Sequence, residues 1–525
     1  MTRTPRSLAL LVLLAAAPSA LPAQGGPSRA PRRPSAAAVS RAALTITEAD
    51  FRARLGALAH DSMRGRETPS PELAKAADWL AIQFRQAGLR PAGDTGGWLQ
   101  RFQLRHTRQD SLTTFALSRS GTTARWSLGR EIGAIVGTQP TEPRDVPVVL
   151  VAGAPADSAR PFGDVPVRGA LVLLAIPFDQ NRNIIANSVY SHAASERARA
   201  VVWLSEWPAE RFAQNLRRFV LDQWTLAESA AAGDDGTGWF VVQLPSAAEL
   251  LRAAGEDAAM VLSPERRGVR ALGPMTFSLS AHESVIEEPT VANVVGVVEG
   301  SDPTLRGEAV VFTAHYDHVG VVGGRCQPSA AVPGDSVCNG ADDNASGTVG
   351  IIEVARAFAA LRPHPARTIV FAAVAAEERG LFGARYYLNH PVVPVERTAA
   401  VLNLDMIARN GRDTVGFVGR NYSSLGAVVD SALLAHPELR LAAAEHQGLY
   451  PNSDHYPFAL RGVPALFFFS GVYDDLHTAA DNLDRADPAQ ATRIARLAFH
   501  VGLQVANAAG RPVWDPQARA RLAGQ

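Results

Sequence analysis

The side chains best suited to chemistry in this sequence are His, Asp and Glu, and they collect in its second half. The segment "VVFTAHYDHVG" carries His315 and Asp317, and "NGADDNASG" carries Asp342 and Asp343. "AAEERG" carries Glu377 and Glu378, "LNLDMIAR" carries Asp405, "SDHYPF" carries Asp454 and His455, and "DDLHTAAD" carries His477. Singly, each has a plain explanation. An Asp before a helix is most often an N-cap, and the paired glutamates could be matched by Arg379 or Arg385. Asp405 is harder to dismiss, because it interrupts an apolar run. Taken together, carboxylates and imidazoles on one edge of a sheet would repel one another unless positive charge lay between them. A divalent metal supplies that charge. Imidazole with several carboxylates and no Cys suits zinc in a catalytic site, with manganese or cobalt as alternatives. One carboxylate can bridge two ions held ~3.5–4 Å apart. Asp317, two residues beyond His315, could accept that ring's other N–H and fix its tautomer.

These residues need a scaffold that ends its strands on one side. "EAVVFTAH", "RTIVFAAVAAEE", "AAVLNLDM" and "VPALFFFSG" read as buried strands. "SGTVGIIEVARAFAAL" reads as a helix with Ile351, Val354, Ala355 and Phe358 on one face. Alternating strands and helices imply an α/β domain with a mostly parallel central sheet. In such folds ligands sit at the carboxyl ends of the strands. Upstream, "TITEADFRARLGALAH" reads as a helix capped by Thr45 or Thr47. "SPELAKAADWLAIQFRQAGL" reads as a second, with Ala74, Ala77, Leu80 and Phe84 as its apolar stripe and Gly88 at its end. Between these parts lie short β-like runs, "VPVVLVAG", "GALVLLAI", "ARAVVWLS" and "GWFVVQLP", which predict an inserted β-rich domain.

The chain has 525 residues, with 47% hydrophobic and 19% charged content and a formal net charge of zero. Two or three globular domains are the expectation. Neutral charge gives no electrostatic reason for a nucleic-acid partner. The opening "MTRTPRSLALLVLLAAAPSALPAQG" has the basic, apolar, small-residue order of a signal peptide cleaved near Ala23. Its apolar stretch is too short to span a bilayer comfortably. Secretion or export to the periplasm is therefore expected, without a stable membrane span. In an exported chain, the near pair Cys326 and Cys338 reads as a disulfide. The expected organisation is a signal peptide at 1–24, a flexible leader at 25–45, the first part of the main domain at 46–125, the insert at 126–282 and the core at 283–525.

The ordered segments "HYDHVG", "NGADDNASG", "AAEERGLFGARYY", "LNLDMIAR", "SDHYPF" and "LHTAAD" resemble the co-catalytic di-zinc aminopeptidases, a superfamily that includes glutamate carboxypeptidase and glutaminyl cyclase relatives. The resemblance spans most of residues 285–505, and the helical segment from Leu58 to Gly93 resembles the part preceding the core in secreted members. It implies a zinc-exopeptidase fold and two zinc ions. His315 and Asp405 would hold one ion, Glu378 and His477 the other, and Asp343 would bridge them, preceding a cis peptide bond to Asn344. Glu377 would be the general base. Tyr450 or Tyr473 would assist the oxyanion, and Asp317 and Asp454 would support the site or the substrate. The insert resembles a protease-associated domain. The implied substrates are peptides with a free N-terminus. A carboxypeptidase of the same fold needs a basic group for the substrate carboxylate, and no motif places one; a dipeptidase of the same fold is a further alternative. A glutaminyl cyclase would use a single zinc, and a non-catalytic relative would have lost ligands or base. Oligomeric state is left open by the sequence.

Overall fold

The computed structural model describes residues 33–525 except 111, 137–140, 156–159, 177–181, 217–221, 229–236, 264–265, 281, 443–446 and 524–525. The expected signal peptide lies outside the described residues. Part of the expected flexible leader is helical. Ser35 caps a helix over Ala36–Ala43, and Ala42 and Ala43 are buried in the main core. Its alanines favour helix despite the neighbouring Pro and Ser, and Ala38 and Val39 also pack against that core.

Thr47 accepts from the Asp50 N–H and starts the helix Glu48–Leu58. Ser70 caps Pro71–Ala87, and Gly88, in the left-handed region, ends it. The buried stripe of that helix is Leu73, Ala76, Ala77, Leu80 and Phe84. Ala74, expected on it, is exposed. Ala77, Leu80 and Phe84 lie on it as expected, and in the first turn Leu73, the larger apolar side chain, takes the inward position instead.

The central sheet is mixed. Ala309–His315 runs parallel to Thr368–Val374 on one side and Thr398–Leu404 on the other, and Thr398–Leu404 runs parallel to Ala465–Phe469. Flanking strands are mostly antiparallel: Thr290–Val298 against Thr368–Val374, and Thr414–Val418 against Ala465–Phe469. The parallel centre is covered on both faces, as its continuous apolar runs require. One face packs against the helices Gly347–Ala360 and Pro488–Asn507, and Ile351, Val354, Ala355 and Phe358 are all buried there. The other face carries a separate cluster around Val311, Val370 and Val401.

A second sheet of eight strands is formed between residues 114 and 280, beginning at Thr114–Arg119 rather than near 126. Its centre is parallel: Thr141–Ala152, Leu171–Ala175, Ala200–Ser205 and Gly238–Gln243 lie side by side. It has its own apolar clusters. One strand from within this span, Asp222–Leu226, leaves it and pairs with Leu99–Gln109 of the central sheet.

Candidate metal and catalytic site

The parallel centre ends where the sequence concentrates its polar residues. His315 is the last residue of its strand, Asp405 follows Leu404, and Glu377 and Glu378 lie just beyond Val374. Asp343 enters from the loop before the helix Gly347–Ala360, and His477 from the loop after Ala465–Phe469. The loops are held in uncommon conformations. Ala376, Met406 and His477 all have positive φ, at 59°, 55° and 57°. The expected cis bond between Asp343 and Asn344 is present. At Gly347 a Cβ would come within 2.1 Å of the Leu404 carbonyl, so only glycine lets the Asp343 loop approach the Asp405 strand this closely.

Two groups of donor atoms result, sharing Asp343. In the first, His315 Nε2 lies 3.4 Å from Asp343 Oδ1 and 3.5 Å from Asp405 Oδ1. In the second, His477 Nε2 lies 3.1 Å from both Asp343 Oδ2 and Glu378 Oε1. His318 Nδ1 joins this second group, 3.5 Å from Asp343 Oδ2 and 3.2 Å from Glu378 Oε1. Donors bound at ~2.0–2.1 Å to one tetrahedral ion stand about 3.3 Å apart, so these separations fit zinc. Asp343 turns one oxygen to each group, as a bridging carboxylate does.

The carboxylates are aimed from behind. Thr313 donates to Asn403, Asn403 donates to Ser453, and Ser453 donates to Asp405 Oδ2 at 2.7 Å. That leaves Asp405 Oδ1 buried and without a hydrogen-bond partner. Arg325 donates to Glu378 Oε2 at 3.3 Å, and Glu378 Oε1 is likewise left for the centre. Buried polar atoms are rarely unpaired without a reason, and a bound cation is one. Asp481 accepts the main-chain N–H groups of Asp342 and Asp343 and the Tyr473 hydroxyl. Asp342 serves the loop itself, accepting from Ser346 and the Ala408 N–H.

Glu377 Oε2 lies 4.0 Å from His315 Nε2. Burial pushes its carboxyl well above the usual range, His315 opposes this, and Glu378, Asp454 and Asp405 add to it. For Glu378, burial and Asp343 act upward, but His318 and His477 outweigh them and hold it below the usual range. The adjacent glutamates are thus driven in opposite directions. Asp317 does not present its carboxylate to His315 in hydrogen-bonding geometry. The ring Nδ1 is nearer the Asp317 carbonyl, at 3.2 Å, than its carboxylate, at 3.7 Å. The carboxylate accepts from Thr68 and from the Glu377 N–H instead. Asp454 is fully buried beside His315, and burial raises its carboxyl to about 8. Tyr450 is buried among Tyr422, His455 and Tyr456. Tyr473, by contrast, donates to Asp481 at 2.9 Å, with the Arg409 guanidinium 4.3 Å above its ring. Cys326 and Cys338 form a disulfide in the loop behind Arg325.

Residues 293–502 match the family model for peptidase family M28. A protein named probable leucine aminopeptidase from Arthroderma otae is 27% identical over 41% of this chain and 64% of its own length. A probable zinc metalloprotease from Leptosphaeria maculans is 35% identical over 23% of this chain and 26% of its own length. The chain thus spans less than two thirds of the length of these relatives. Among solved structures, an aminopeptidase from Aneurinibacillus sp. strain AM-1 covers 91% of this chain and 98% of its own, at 16% identity and a TM-score of 0.49. The M28 segment contains every donor of both groups. His318 was not singled out from the sequence, although it stands inside "HYDHVG". Nothing in its spacing separates it from a core histidine. The nearest sequence signal was its place one residue after Asp317 in a segment already rich in donors. Asp481, Ser453 and Arg325 were also not singled out, because each acts on a partner far away in sequence.

Proposed function

We propose that this protein is a zinc-dependent exopeptidase that removes N-terminal amino acids from peptides. The observation that carries this reading is the pair of donor groups sharing Asp343, with Glu377 beside the His315 group. The M28 match and the relative named probable leucine aminopeptidase support it. His315, Asp343 and Asp405 would hold one zinc, and Asp343, Glu378 and His477 the other. Bound there, the ions would supply Lewis-acid charge and acidify water at neutral pH.

The chain's own residues do the rest. Glu377 Oε2 takes the proton of the attacking water and returns it to the leaving amine, the work of a general acid–base carboxylate. Asp317 holds the Glu377 main chain through its N–H, which keeps that carboxylate in place. The Tyr473 hydroxyl, which donates to Asp481 in the free protein, turns its single proton from Asp481 to the oxyanion that develops on the peptide carbonyl. The acidic groups receive the substrate's free α-ammonium, which restricts cleavage to chain ends. Export is part of the reading: the disulfide suits an oxidising compartment, and among the described residues no helix is long and apolar enough to cross a membrane. The residues between 126 and 282 act as a protease-associated domain that borders substrate access.

The test is hydrolysis of aminoacyl-anilides against N-blocked peptides, with and without chelator. Cleavage of free aminoacyl substrates that stops on chelation is expected. Cleavage confined to blocked substrates would sink the aminopeptidase reading.

A further inference from the structure

The two donor groups are unequal. The His315 group has three protein donors. The other has His318 in addition to Asp343, Glu378 and His477. His318 is completely buried, and its Nε2 finds no hydrogen-bond partner among the described residues. Its Nδ1 faces the two carboxylates at 3.2 and 3.5 Å, the same separations that relate the other donors of that group.

The surroundings are shaped to hold this ring. Gly340 has φ of 55°, and a Cβ there would lie 2.6 Å from the His318 ring carbons, so a side chain at 340 would fill the ring's cradle. The His318 N–H donates to the Arg66 carbonyl. Arg66 is itself completely buried and donates to the carbonyls of Tyr316, Leu58, Asn339 and Gly340. One guanidinium thus ties the segment before His318 to the loop carrying Gly340. The direct hydrogen-bond partners of this buried cation are all main-chain carbonyls.

We propose that His318 Nδ1 is the fourth protein ligand of the metal held by Asp343, Glu378 and His477. Resting on the zinc-enzyme reading above, this makes that site closed, in the manner of structural zinc, while the His315 site keeps an open position. The closed site binds zinc first and more tightly. The open site, next to Glu377, is the exchangeable one.

The experiment uses the full chain stripped of metal and loaded with one equivalent of zinc. X-ray absorption at the zinc edge counts imidazoles. Two per zinc, His318 and His477, is the expected result, and one per zinc overturns the proposal without need of any variant. A competition titration against a chromogenic chelator should show two steps in the wild type. His318→Ala should weaken the tighter step at least 10-fold, and Asp405→Asn only the weaker one. A single step, or a His318→Ala curve identical to wild type, also overturns it. His318→Gln, closer in volume, gives the same comparison if the Ala variant does not fold. The outcome is separable from that for the enzymatic reading: two imidazoles in a protein inactive on aminoacyl-anilides keeps the ligand and loses the activity.

Discussion

The two sheets of this protein share a plan at their centres and differ at their ends. In the insert, Leu171–Ala175, Ala200–Ser205 and Gly238–Gln243 stand side by side, and two of the pairings are parallel to the same central strand. They close on Ala175, Ser205 and Gln243. In the central sheet, the corresponding positions at or just past the strand ends are His315, Glu377 and Asp405. Among the described residues, no group of potential metal donors forms in the insert, whereas two form on the central sheet. Parallel strands create a crevice at their carboxyl ends in either case. The chemistry comes from which residues are placed there, not from the architecture. One strand from the span of the insert belongs to the central sheet. Trp224, on the strand Asp222–Leu226, stacks on His106 with ring centroids 4.2 Å apart, and the Arg379 guanidinium lies 5.1 Å from its ring. Arg379 follows Glu378 directly and also holds Glu67 and the Thr68 carbonyl.

The contrast can be broken at several places. Glu377→Gln should reduce kcat by about 10²–10⁴-fold, the range of a lost general base, with two zinc ions per chain retained by elemental analysis. Loss of zinc in this variant, and its retention in Glu378→Gln, would reverse the two roles. Leu173→Ala, in the insert core, should lower folding stability by ~2–5 kcal/mol in chemical denaturation while zinc content stays unchanged. Zinc loss in that variant would mean that the insert core supports the metal site and the two sheets are not independent. Trp224→Ala should raise KM several-fold with kcat nearly constant, because it loosens the insert strand against the Arg379 loop without touching a donor. Unaltered kinetics would leave the insert with no part in substrate access.

The smallest effect concerns pH. Burial and the neighbouring His436 lower the His500 imidazole to about 4. The unfolded chain, with an ordinary His near 6.5, therefore binds the proton first as pH falls. The contribution of His500 to stability is complete above about pH 6.5 and is lost progressively toward about pH 4. His500→Gln should flatten the decline in Tm over that window by a small amount. An unchanged decline would show that His500 is not held neutral.

Much of the scaffold was legible because it rests on local rules. Thr47, Ser70 and Gly88 mark their helix ends, and the apolar runs at 309–315, 368–374, 398–404 and 465–469 are the four strands of the parallel centre. The antiparallel flanks were not legible, since a short apolar run does not state the direction of its neighbour. The departure of Asp222–Leu226 from the insert was equally silent, because pairing with Leu99–Gln109 is decided by edges meeting in space.

The same division holds at the site. By itself, the sequence determined which residue types were available and that they follow apolar strands, because strand periodicity and the cost of burying charge are properties of short segments. Only the tertiary structure decided how their atoms are shared. It turned the two oxygens of Asp343 toward different groups and added His318 to one of them. It also moved the Asp317 carboxylate from His315 to the Glu377 main chain. Those outcomes depend on distances between loops far apart in the chain, which no local pattern encodes.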